Sequence, residues 1–167
     1  MSEGWELSLS DAAAAISGGT LTPEALLEST LARIEAVEPQ VQAWARLRTQ
    51  DARREAARLA QLQAKGTILG PLHGIPVGVK DIFNTGGVET ACGSKIMAGF
   101  VPVEDAPAVA RLRAGGAIIL GKTHTTEFAS FDPSPARNPW APGHTPGGSS
   151  SGSVSYTHLT LPTTPYV

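Results

Sequence analysis

The sequence predicts an α/β fold, in which helices pack on a small sheet. Two observations support this prediction. The first 66 of the 167 residues contain stretches with apolar residues at helical spacing. Beyond them, short apolar stretches alternate with turn residues, and a helix-like segment ending at Gly115-Gly116 leads directly into the apolar run Ala117–Leu120. A helix followed by a buried strand is typical of α/β proteins, whose sites collect beyond the carboxyl ends of the strands.

The first two predicted helices are marked by their end signals. Ser8 caps an Ala-rich stretch that Gly18-Gly19 closes. Thr22 is a good N-cap with Pro23 at the first helical position, and we expect Pro39 to end this second helix.

A third helix is predicted over Asp51–Gln63, with alanines and leucines on one side and a charged, solvated side opposite. Before it, Val41–Leu47 alternates weakly and fits either a strand or a connector. None of these segments carries a chemical pattern, so we expect them to cover a site formed by later residues.

The middle of the chain predicts strands that end at charged residues. Gly70–Lys80 alternates small and apolar residues and ends at Lys80-Asp81, as expected of a short, tightly packed strand. Asp105 followed by Pro107 predicts the start of a helix, with Asp105 as its N-cap. The strand Ala117–Leu120 then leads to Lys122.

Composition excludes several classes of protein. Hydrophobic residues make up 41% and charged residues 17%, which suits a folded core. The net charge of −2 argues against direct binding of nucleic acid or an anionic membrane. No apolar run approaches the roughly 20 residues that span a bilayer, and the N-terminus lacks a signal pattern, so we expect a cytoplasmic protein. The single cysteine, Cys92, excludes a disulfide framework and a cysteine-rich metal site.

Two lysines are candidates for chemistry. Lys80 and Lys122 each follow an apolar strand. One interpretation is a solvated lysine or one that forms a salt bridge with Asp81. The other is a partly buried lysine whose lowered pKa leaves a neutral amine to act as a general base. Spacing does not choose between the two lysines.

The segment Thr145–Ser153 is rich in glycine and serine. It fits a flexible linker, an anion-binding nest of backbone N–H groups, or a tight catalytic loop whose hydroxyls relay a proton. It lacks the Gly-Lys-Ser/Thr ending of a phosphate-binding P-loop, which argues against a nucleotide site. The sequence motif alone does not decide between these three interpretations.

Six sequence blocks between residues 70 and 153 resemble the amidase signature family in order and approximate spacing. They are Gly74–Asp81, Cys92–Ser94, Ala114–Thr123, Glu127–Ala129, Arg137–Pro139 and Pro146–Ser153. The resemblance implies the N-terminal part of that family's α/β fold, an incomplete mixed sheet flanked by helices. It also implies a small-molecule amide substrate, no metal and no cofactor, and it leaves a homo-oligomer open for the full-length protein.

The resemblance implies a Ser-cisSer-Lys relay for amide hydrolysis. Lys80 takes the position of the base, and Ser149 that of the bridging serine, which follows a cis peptide bond. Lys122 then has a structural role. The residues expected to wall the acyl pocket or support the relay are Phe128, Ala129, Ser130 and Ser150.

The sequence departs from the family after this loop. The nucleophilic serine should lie roughly two dozen residues beyond Ser149, which is past Val167, and the triad needs all its members. The last 14 residues carry four threonines but no Ala, Gly or acid. We therefore expect residues 1–153 to be an N-terminal fragment of one amidase signature domain, inactive alone, and residues 154–167 to be a non-native or unstructured tail.

Three hypotheses for function remain. The first is a piece of a stand-alone amidase, and the second is a piece of the glutamine-hydrolysing A component of the amidotransferase used in tRNA-dependent amidation. The third is a non-catalytic fragment that only inherits the fold. The block His124–Ala129 reads His-Thr-Thr-Glu-Phe-Ala, whereas the amidotransferase component usually reads closer to Asn-Met-Asp-Glu-Phe-Ala. This difference favours the stand-alone amidase.

Overall fold

The computed structural model describes residues 3–157, which contain five α-helices and three strands. In chain order they are α1 (Leu9–Ser17), α2 (Pro23–Val41), β1 (Trp44–Leu47), α3 (Thr49–Ala64), β2 (Pro76–Lys80), α4 (Pro107–Ala114), β3 (Ile118–Thr123) and α5 (Ser151–Thr157). No helix within this part of the chain is long and apolar enough to cross a membrane.

The sheet is mixed, as predicted, with β3 in the centre. Its order is β1-β3-β2; β1 runs antiparallel to β3, and β2 runs parallel to it. All six residues of β3 are buried. Because β2 and β3 are parallel, their carboxyl ends lie at the same edge of the sheet, and both candidate lysines are therefore at that edge.

Helices cover both faces of the sheet. On one face, α2 and α3 bury their apolar residues against Trp44, Ile118 and Leu120. On the other, Val109 of α4 packs with Val79 and Ile119. A separate cluster joins α1 to the start of α2 and to the residue before β2; its buried members are Ala12, Ile16, Leu26 and Ile75.

The pairing of β2 with β3 contains a bulge. Val77 pairs with Ile119, but the next residue, Gly78, pairs with Gly121, so Leu120 is an extra residue in β3. Beyond the bulge Lys80 pairs with Thr123. Since neighbouring side chains of a strand point to opposite faces, the bulge turns Lys122 to the face opposite Lys80.

The end of α2 differs from the prediction. The helix passes through Pro39 and ends at Val41, and Gln42 adopts a left-handed conformation with φ 48°. Pro39 lies in the last turn, where its missing N–H removes a single hydrogen bond. The carboxylate of Glu38 then accepts hydrogen bonds from the N–H groups of Ala43 and Trp44, at 3.1 and 2.9 Å. These bonds fix the turn into β1, which resolves the ambiguity over 41–47 in favour of a strand.

The predicted role of Asp105 is also wrong. The N-cap of α4 is Ala106, which makes no side-chain capping bond. Asp105 instead accepts a hydrogen bond from the N–H of Gly86 at 2.7 Å and another from Arg113 Nε at 2.8 Å. Its carboxylate therefore connects the loop after β2 to α4 and does not cap the helix.

The predicted tail begins inside a helix. Residues 154–157 continue α5, whereas residues 158–167 lie outside the described part of the chain. The expectation that residues 154–167 are non-native or unstructured stays a prediction.

We expect Gly121→Ala to lower the free energy of unfolding by about 3 kcal/mol or more, because overpacking against backbone is not relieved by a rotamer change. A Cβ at Gly121 would collide with the carbonyl oxygen of Arg46 and lie 3.1 Å from Leu47 Cα. Gly143→Ala is the control, since nothing lies within 4 Å of its added carbon. Urea unfolding measures both variants, and equal losses would contradict this account of the close contact between β3 and β1.

Candidate active site

The carboxyl end of β2 meets the Gly/Ser loop. Lys80 Nζ donates a hydrogen bond to Ser149 Oγ at 2.6 Å, although the two residues are 69 positions apart in sequence. Lys80 is partly buried, and this burial lowers the pKa of its ammonium group. Among residues 3–157, the Lys80 amine forms no ion pair with a carboxylate. The structure thus brings together the two residues to which the resemblance gives catalytic roles.

Backbone contacts hold Ser149 in place. The peptide bond between Gly148 and Ser149 is cis. The carbonyl oxygen of Ser149 accepts hydrogen bonds from the N–H of Thr126 at 3.1 Å and from Thr125 Oγ1 at 3.0 Å. Ser149 is therefore fixed to the segment that directly follows β3.

The Gly/Ser loop packs closely on that same segment. A Cβ at Gly148 would lie 2.7 Å from Thr126 Cγ2, so only glycine fits there without a shift. Further along, Ser153 Oγ and Thr123 Oγ1 are hydrogen-bonded at 2.9 Å. Of the three interpretations of this segment, these contacts favour the tight loop over the flexible linker.

Lys122 has a different environment from Lys80. It is completely buried, and its Nζ donates hydrogen bonds to the carbonyl of Phe83 at 2.7 Å and to Thr90 Oγ1 at 2.8 Å. Asp81 Oδ1 lies 3.3 Å away. The Lys122 ammonium group thus has two hydrogen-bond acceptors and one carboxylate ion-pair partner. Burial lowers the pKa of Lys122, and the charge of Asp81 opposes this effect.

These environments distinguish two lysines that spacing left equivalent. Lys122 has the surroundings of a structural cation, with a carboxylate and two further oxygens around its amine. Lys80 faces a hydroxyl, and none of the carboxylates within residues 3–157 forms an ion pair with its amine that would favour the charged form. Of the two, Lys80 has the environment suited to accept a proton.

A cleft of about 610 Å³ opens beside Ser149. Three of the four predicted substrate-binding residues, Phe128, Ala129 and Ser130, line it together with Ser149. The fourth, Ser150, is not among the lining residues; its carbonyl accepts a hydrogen bond from the N–H of Val154 at 3.0 Å, in the first turn of α5.

The wall of the cleft has a strained backbone. Phe128 and Ala129 adopt left-handed conformations, with φ 47° and 59°, although neither is glycine. The N–H of Phe128 donates to the carbonyl of Cys92 at 2.9 Å, which holds this conformation. Such strain is concentrated at functional sites, because the surrounding structure must maintain it.

Sequence reasoning gave no role to the threonines that anchor the loop. Thr123, Thr125 and Thr126 all bond to it, through side chains or backbone. The available signal was a run of hydroxyl residues directly after a buried strand. Within residues 3–157, no group of three or more His, Cys, Asp or Glu side chains is arranged to hold a metal ion.

Comparisons with known proteins agree on one family. The family model described as Amidase matches residues 25–157. The A component of the glutamyl-tRNA(Gln) amidotransferase of Roseiflexus sp. (strain RS-1) is 44% identical over 156 residues, which are 90% of this chain and 32% of the relative. The chain thus spans about a third of the length of such curated relatives.

Solved structures give the same result. A crystal structure of an amidase superposes with a TM-score of 0.82 at 38% identity, covering 92% of this chain and 36% of the other. The native peptide amidase from Stenotrophomonas maltophilia gives 0.83 at 36% identity, covering 93% and 35%. The resemblance of the six sequence blocks is therefore confirmed, and the chain belongs to the amidase family.

Proposed function

We propose that this chain supplies the base and the bridging serine of an enzyme that hydrolyses carboxamides. Lys80 is the base and Ser149 the bridge. The observation that carries the proposal is the 2.6 Å contact between Lys80 Nζ and Ser149 Oγ, made by a lysine without a carboxylate partner among the described residues. A neutral amine at this position accepts the hydroxyl proton of Ser149.

The reaction then proceeds by proton relay and covalent catalysis. As Lys80 takes the proton of Ser149, Ser149 takes that of a nucleophilic serine contributed by the rest of the protein. The nucleophile attacks the amide carbonyl, and the resulting oxyanion is held by backbone N–H groups of the glycine-rich loop that precedes the nucleophile. The proton returns through the relay to the leaving nitrogen, and the C–N bond breaks to give an acyl-enzyme. Water then releases the carboxylate.

The cleft beside Ser149 suits the acyl part of the substrate. Phe128 and Ala129 offer apolar surface, and Ser130 offers a hydroxyl at the same wall. We propose that these residues contact the acyl group of a small or medium carboxamide, whereas Ser150 supports the relay. The product is a carboxylate, with ammonia or an amine as the leaving group.

A second candidate function is supported by the curated relatives. Those of Roseiflexus and Chloroflexus aurantiacus, at 44% and 43% identity, are both named as the A component of glutamyl-tRNA(Gln) amidotransferase. In that case the amide is glutamine, the ammonia is passed on for amidation, and a partner protein is needed. The sequence His124–Ala129 departs from the usual block of that type, so we place the stand-alone amidase first.

The two candidate functions differ in substrate. We expect a full-length protein that includes residues 1–153 to release ammonia from simple carboxamides without an added partner, because a stand-alone amidase completes its own site. An ammonia assay over a panel of carboxamides, with glutamine included, measures this. Turnover confined to glutamine, or dependent on a second protein, would favour the amidotransferase.

In a chimera that joins residues 1–153 to the remaining two thirds of the solved amidase, we expect Lys80→Ala and Ser149→Ala each to reduce carboxamide turnover about a thousandfold or more. Members of a relay act as a unit, so the loss of either one leaves the nucleophile without a path for its proton. The controls are Lys95→Ala and Ser10→Ala, which remove the same groups from exposed positions. Turnover that survives both relay substitutions would contradict the assignment.

We expect the 167-residue chain alone to release no ammonia from carboxamides above background. A relay without a nucleophile and oxyanion donors loses the covalent route and the main electrostatic stabilisation, of which one donor alone contributes about 2.7 to 4 kcal/mol. Ammonia release by the purified chain, beside its Ser149→Ala and Lys80→Ala variants, measures this. Activity that disappears in both variants would show that the chain is itself a working enzyme.

A further inference from the structure

Four charged side chains, among them that of the residue after Lys80, are linked by ion pairs. Asp81 Oδ1 lies 3.3 Å from Lys122 Nζ, and Asp81 Oδ2 lies 3.7 Å from a terminal nitrogen of Arg46. The other terminal nitrogen of Arg46 lies 2.6 Å from Glu89 Oε2. Two cations and two carboxylates thus form one cluster whose formal charges cancel. We call these four residues the charge cluster.

Asp81 connects the charge cluster to Lys80 through the backbone. Asp81 is the next residue, and its N–H donates to the carbonyl of Thr123 at 3.0 Å. The carbonyl of Asp81 accepts from the N–H of Cys92 at 2.9 Å, and Asp81 Oδ2 accepts from the N–H of Ala91 at 3.2 Å. Asp81 is therefore fixed directly after β2, and its carboxylate is buried.

The charge of the Asp81 carboxylate is compensated mainly by Lys122. Among the described residues, Asp81 Oδ1 makes no hydrogen bond of good geometry, so the ion pair with Lys122 is what compensates this oxygen. A buried carboxylate without a compensating cation would favour the protonated form of any amine nearby, since Coulomb interactions are only weakly screened inside a protein. Lys80, which directly precedes Asp81 in the chain, carries such an amine.

We propose that Lys122 is a positioning residue for catalysis: by neutralising Asp81 it prevents the carboxylate from holding a proton on Lys80, and so keeps the Lys80 amine free to accept the proton of Ser149. This inference rests on the proposed function for the meaning of a neutral Lys80, but its electrostatic part stands by itself. It gives Lys122 and Arg46 a role in the chemistry although neither contacts Ser149 in the structure.

The direction in which the pKa of Lys80 changes follows from the charge that each substitution removes. Loss of a cation from the charge cluster leaves a net negative charge, which raises the pKa of Lys80. Loss of the Asp81 carboxylate leaves a net positive charge, which lowers it. Among the described residues, the charged or titratable groups that face Asp81 or pair with its partners are Arg46, Glu89, Cys92, Lys122 and His124. The Lys80 amine itself faces the neutral hydroxyl of Ser149.

The titration of Lys80 can be followed directly in the 167-residue chain. The chain has four lysines, so selective carbon-13 labelling at lysine Cε gives four NMR signals, and Lys80→Met identifies that of Lys80. We expect Lys122→Met and Arg46→Gln to move the midpoint of Lys80 to higher pH, and Asp81→Asn to move it to lower pH. At a fixed pH near the midpoint, the neutral fraction of Lys80 should change several-fold in opposite directions.

The controls separate this effect from loss of structure. Arg53→Gln removes the same charge from a surface pair with Glu28, and it should leave the midpoint unchanged. Lys122→Met also removes a buried ion-pair partner and lowers stability. Arg46 is partly exposed, so Arg46→Gln carries the test if Lys122→Met does not fold.

Opposite shifts in Arg46→Gln and Asp81→Asn would support the inference, because a merely structural role gives no reason for a change of sign. Unchanged midpoints in both variants, or shifts of the same sign, would overturn it. The proposed function is tested separately by Lys80→Ala in the chimera. If that variant kept its turnover while the midpoints shifted as expected, the proposed function would fail and the electrostatic coupling would remain.

Discussion

The extra residue Leu120 in the pairing of β3 with β2 sets the direction of every later side chain in β3. Without it, Lys80 would pair with Lys122 on the same face of the sheet, and two ammonium groups would compete for one site. With it, Lys80 shares a face with Thr123, on which the Gly/Ser loop packs. Gly121, the residue after the bulge, lets β1 pack closely on β3, since no side chain fits against the backbone of Arg46.

The two faces at the end of the sheet therefore carry different chemistry. One holds Lys80 against Ser149, beside a cleft with a strained wall. The other holds Lys122 and Asp81 in a buried ion pair, at the same edge. In the proposed mechanism, a single strand end thus supplies both the proton acceptor and its electrostatic surroundings. The helices at the start of the chain contribute to this arrangement indirectly, because α2 and α3 fix the sheet from one side.

Much of the fold could be predicted where local chemistry decides it. Thr22 and Pro23 mark the start of α2 through their own backbone preferences, and the structure agrees. The end of α2 and the role of Asp105 could not be predicted, because partners distant in sequence decide them. The choice between the lysines depends on a register between strands separated by about 40 residues, which spacing does not contain. The resemblance supplied that choice, and the environments of the two amines give its physical reason.

The central claim is that Lys80 stands beside Ser149 as an amine that loses its proton readily. The most direct test is the carbon-13 NMR titration of Lys80 in the unaltered chain. Since burial lowers the pKa of Lys80 and no carboxylate among the described residues pairs with its amine, we expect its midpoint to lie below the ordinary value for lysine. A midpoint at or above that ordinary value would contradict the claim.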